Sequence, residues 1–139
     1  MKNKNLLEIF YIIVFTLLVV HEIDSAYWKE WEMFNLLGGI QLFNIIHIVL
    51  IPILIFGLGE VIKETDRGIL FSGITGFLGI LTFVIHSIFL IIGYRQFTNP
   101  VSISIIFLLL ITSVFQLVIV YKKIYGFHFN GEINATYKT

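Results

Sequence analysis

Four apolar runs, each more than 20 residues long and separated by short polar breaks, restrict this chain to very few folds. A helix needs about 20 mostly apolar residues, at 1.5 Å each, to cross a hydrocarbon core. The runs are Leu6 to Trp28, Ile40 to Ile62, Gly68 to Gly93 and Pro100 to Tyr121. Inside lipid, backbone N–H and C=O groups have no water to bond, so such a run folds as a helix that satisfies its own backbone.

The breaks carry turn chemistry: Gly38-Gly39, Asp66-Arg67-Gly68 and Asn99-Pro100, the last an N-cap followed by proline at the first helical position. Short connections force neighbouring helices to run antiparallel. The expected fold is therefore all-α, a four-helix transmembrane bundle running up-down-up-down. Residues 1–125 are read as a single domain and residues 126–139 as a polar, mobile tail. Lys2 and Lys4 before an apolar run resemble a signal peptide, but His21, Glu22 and Asp24 interrupt it and no A-x-A site follows, so the run is expected to be retained.

Composition excludes several classes. Of the 139 residues, 58% are hydrophobic and 13% charged, too little polar surface to clothe a soluble domain of this size. Net charge is zero and the basic residues sit at run ends, so a nucleic-acid surface is not expected. Cysteine is absent, which removes disulfides, thiolate catalysis and Cys-ligated metal. Any metal would take nitrogen and oxygen ligands.

Basic residues also set a direction. Lys2, Lys4, Lys63, Arg67, Lys122, Lys123 and Lys138 fall at one end, and only Lys29 and Arg95 at the other. By the positive-inside rule both termini are expected in the cytoplasm, in a multi-pass protein of the plasma membrane. Tyr27, Trp28, Trp31 and Tyr94 then form an outer aromatic belt. Asn134-Ala-Thr136 matches a glycosylation sequon, but on the cytoplasmic side it would not be used.

Three histidines share one depth. His21 is seven residues before Trp28, His47 seven after Ile40 and His86 seven before Gly93. Each therefore lies about 10 Å below the outer boundary. Ionisable groups are expensive in a bilayer, so they face one another, water or an ion. The plainer alternative is three unrelated histidines, each bonded to a backbone carbonyl.

In His21-Glu22-Ile23-Asp24-Ser25, the i, i+3 relation puts His21 and Asp24 on one helix face, a spacing that metal sites in bundles use. A local ion pair that lowers the cost of both is the structural alternative. Asn44 and His47 are likewise three apart, so Asn44, with Gln41 and Ser25, is a candidate to orient a ligand imidazole or bond a substrate. Gly73, Gly76 and Gly79 in the third run, with Gly57 and Gly59 in the second, suit close helix packing and no chemistry.

The His21-to-Ser25 segment, Asn44-Ile-Ile-His47, and His86 with Tyr94-Arg95-Gln-Phe-Thr-Asn99-Pro100 resemble the small multi-helix HXXEE-motif membrane proteins and related bacterial families. The likeness spans most of residues 10 to 105, with Asp24 and Ser25 standing where that motif has two glutamates. It implies a multi-pass bundle with a histidine-and-acid active or metal site.

The leading expectation is that His21, Asp24, His47 and His86 hold one divalent metal, zinc or iron, with Glu22 either bonding to a ligand from behind or acting as general base. Such a site would hydrolyse or oxidise a lipid-like substrate arriving from the outer leaflet. The alternatives are a b-type haem bundle with His47 and His86 as axial ligands, and a structural bundle whose polar residues bond to a partner.

Overall fold

A computed structural model describes the backbone of residues 5–136 and the side chains of residues 5–125. Lys2, Lys4 and the side chains of the expected polar tail lie outside these. The chain forms α1 (Leu6–Tyr27), the short α2 (Glu30–Met33), α3 (Gly39–Ile62), α4 (Asp66–Ile91) and α5 (Pro100–Thr136). The four long helices pack together as an all-α bundle, and each is long and apolar enough to cross a membrane.

Local chemistry starts each helix. The Asn5 side chain accepts from the Leu7 N–H at the head of α1, Thr65 Oγ1 accepts from Gly68 N–H at the head of α4, and Asn99 Oδ1 accepts from Ser102 N–H at the head of α5. These caps satisfy donors that the first turn leaves free. Before α3 the chain reverses through Gly38 and Gly39, both at positive φ (106° and 55°), a conformation that glycine adopts without strain. Lys29 at φ 53° turns the chain sharply after α1 and starts α2.

Every third or fourth residue of α1 is buried: Leu7, Tyr11, Val14, Leu18, His21 and Ser25. That stripe faces the bundle, and its apolar members join two core clusters, Leu7–Tyr11–Val61–Val120 and Val14–Leu18–Ile105–Leu109. Packing is most extensive between α4 and α5, followed by α1 with α5 and α3 with α4. The helices α1 and α4 touch across the bundle, whereas α3 and α5 stay on opposite flanks. The short diagonal is thus α1 to α4.

Small residues set the close approach of α4 and α5. A Cβ on Gly76 would meet Leu117, and one on Gly79 would overlap Ser113. Gly57 of α3 faces Tyr11 and Phe71 with equally little room, while Gly59 and Gly73 face open space. Between α4 and α5, Gln116 Nε2 donates to the Ser72 carbonyl (2.8 Å) and to Thr75 Oγ1 (2.6 Å). These contacts hold α4 tightly against α5 along Ser72 to Gly79.

Candidate functional site

His21 is the next-to-last member of the buried stripe of α1, and His86 ends that of α4, after Ser72, Thr75, Gly76 and Gly79. Because α1 and α4 form the short diagonal, the two imidazoles meet. Their ring centroids are 4.7 Å apart, with the rings nearly perpendicular at 81°. Phe97, from the segment between α4 and α5, packs on both rings and seals one side.

The acid partner comes from α2. Glu30 is buried at 8% exposure, and its Oε1 lies 3.6 Å from His86 Nε2. One ligand-type atom each from His21, Glu30 and His86 falls within 4.8 Å of the others, the one such group among the described residues.

A hydrogen bond to a backbone carbonyl fixes which nitrogen of His86 is free. His86 Nδ1 is 2.9 Å from the Thr82 carbonyl, which can only accept, so Nδ1 carries the hydrogen and Nε2 of the neutral ring presents a lone pair. His86 Nε2 is buried without a hydrogen-bond partner. His21 Nε2 is 3.3 Å from Ser25 Oγ, and its Nδ1 is likewise buried and unpartnered. Leaving such atoms unsatisfied costs about 1–3 kcal/mol each. Two imidazoles and a carboxylate so placed are groups that could hold a metal ion.

His47 joins a second carboxylate. Its Nδ1–H donates to the Phe43 carbonyl (2.7 Å), and its Nε2 stands 2.8 Å from Glu22 Oε2. With Nδ1 already committed as a donor, Nε2 and the carboxylate can approach this closely only by sharing a proton. The pair therefore holds one exchangeable proton. His21, Glu22, Glu30, His47 and His86 all line one cavity of about 240 Å³.

The expected residues distribute as follows. All three histidines reach the cavity, with His21 and His86 in the three-residue cluster and His47 beside it on Glu22. Asp24 does not line this cavity; it is half-buried, with Oδ2 enclosed and unpartnered. Ser25 is buried and bonds His21. Gln41 and Asn44 are exposed on α3, away from the cavity. Glu30 escapes sequence reasoning because it belongs to a polar break, where an acid reads as a solvated loop residue. The only signal is the crowding of Glu30, Trp31, Glu32 and Met33 into a break too short to leave the bundle's end.

The described residues thus form a bundle of four helices, each apolar and long enough to cross a membrane, with a buried His–Glu–His cluster at one end. The chain belongs to the family of unknown function DUF6713, whose pattern matches residues 7–123. No curated protein and no solved structure matches it.

Proposed function

We propose that this is a membrane metalloprotein in which His21, Glu30 and His86 hold one divalent ion, with zinc favoured, and that it hydrolyses a membrane-soluble substrate. The observation that carries the reading is the convergence of two imidazoles and a carboxylate from three elements, one ligand-type atom of each within 4.8 Å of the others and all three residues buried. Two ligands on a tetrahedral ion with bonds of ~2.1 Å stand about 3.4 Å apart, close to the 3.6 Å between His86 and Glu30. Held by two histidines and a glutamate, such an ion would supply Lewis acidity and lower the pKa of a bound water.

The Glu22–His47 pair is the acid–base partner in this reading. As water adds to a carbonyl carbon, Glu22 Oε1, the carboxylate oxygen not facing His47, would take its proton, and as the C–O bond breaks it would return that proton to the departing oxygen. Asp24 is not a ligand in this reading, and the ligand role expected of it passes to Glu30. The haem alternative is less well supported, since His47 Nε2 already faces Glu22 and is engaged by it. The resemblance to the HXXEE-motif proteins also points to a histidine-and-acid centre. With both termini in the cytoplasm, the site lies in the outer leaflet of the plasma membrane.

Metal analysis of purified protein, together with the His21→Ala, His86→Ala, Glu30→Gln and Asp24→Asn variants, tests the proposal. The wild type and Asp24→Asn should retain about one zinc per chain after dialysis, and the other three should lose it. Stoichiometric iron in place of zinc would assign the same ligands to oxidation. A wild type that retains and takes up no divalent metal overturns the reading.

A further inference from the structure

The Glu22–His47 pair has a second face. Besides the polar cavity, it lines an apolar groove of about 280 Å³ between α1 and α3. Glu22, Phe43, His47, Leu50 and Thr82 border both spaces, so they are adjacent compartments with the proton-sharing pair in the partition. Down α3 the groove extends from His47 to Leu54, about 10 Å at the helical rise per residue.

The groove's position says what can fill it. Of the packed neighbours around the bundle, α1 and α3 touch far less than α4 and α5 do, and the groove is the gap between them. Both helices are long and apolar enough to cross a membrane at this level, and Ile23 at the rim is 67% exposed. What lies beside an exposed apolar rim at that depth is lipid. The groove walls are Leu18, Val19, Leu50, Ile51, Leu54 and Leu78, which offer dispersion contacts and no hydrogen bonds to a long apolar chain.

We infer that the groove seats the alkyl chain of a single-chain amphiphile that arrives sideways from the bilayer between α1 and α3, its polar end delivered to Glu22 and His47. The inference deepens the proposed function, because it names the substrate class of the same site. About 10 Å of a single chain lies along the groove, and the rest extends through its open side into lipid. The polar end meets one carboxylate and one imidazole, groups that bond a hydroxyl, carboxyl or ester head.

Photolabelling tests this with a stated probe. The full chain in phosphatidylcholine vesicles is irradiated with a 16-carbon fatty acid carrying a mid-chain diazirine, and adducts are mapped by mass spectrometry. Adducts should concentrate on Val19, Ile51 and Leu54, and excess unlabelled fatty acid should suppress them. Val19→Phe fills the groove without touching the metal-type cluster and should cut labelling about tenfold, the equivalent of excluding about two methylenes. Even spread of adducts over lipid-facing residues such as Phe107 and Val114, or no suppression by competitor in the wild type, overturns the inference. Zinc content measured on the same samples separates the two readings: groove labelling without zinc defeats the metal proposal alone, and zinc without groove labelling defeats this one alone.

Discussion

His47 shows how a residue's depth and its neighbour are decided by different physics. Its height follows from a fixed rise per residue, so the common level of His21, His47 and His86 was legible in the chain. Its partner depends on which helices form the short diagonal, and that comes from packing: α1 and α4 close on each other, and His47 on the flanking α3 meets Glu22. Asp24 looked the better ligand because i, i+3 spacing is a local relation, while Glu30 reaches the histidines through a reversal at Lys29 that no periodicity announces. The shared proton between His47 and Glu22 has a consequence for stability. Glu22→Gln keeps a hydrogen-bonding group opposite Nε2, whereas Glu22→Ala leaves a half-buried nitrogen facing apolar walls. Thermal unfolding in detergent should show Glu22→Ala less stable by about 1–3 kcal/mol and Glu22→Gln near wild type. Equal loss in both variants would mean that charge, and not the hydrogen bond, holds the pair.

Among the elements, the long helices were the most legible part. The expected Leu6 to Trp28 and Ile40 to Ile62 runs became Leu6–Tyr27 and Gly39–Ile62, since hydropathy marks where backbone must satisfy itself and the caps mark where it begins. The helix α2 was not foreseen, because four residues carry no period. Glycine contacts were half legible: composition marks small residues, but not which of them face a helix. In α4, Gly76 lies against Leu117 while Gly73 meets nothing within 4 Å, although the two are three residues apart. Gly76→Leu should therefore destabilise the protein by about 1–3 kcal/mol in detergent unfolding, and Gly73→Leu should change it little. A reversed order would mean that the α4–α5 seam is placed on the wrong face of α4.

At the scale of the whole molecule, direction is read from charge, since the fold looks the same either way up in a bilayer. With seven of nine basic residues at the end bearing the termini, a reporter fused after Thr139 should be active in the cytoplasm and one inserted between Glu32 and Leu37 should be active outside. The opposite pattern would move the histidine cavity to the inner leaflet. The apolar clusters beneath that cavity carry a different consequence. Val14 and Leu109 are fully buried and Leu18 nearly so, which gives the chamber a solid floor about one helical turn below His21. Under the proposed function, a vessel closed at the bottom and open at the side would exchange reactant and product with a single leaflet. Its traffic would then be two-dimensional, and its working rate would follow the composition and fluidity of that one monolayer.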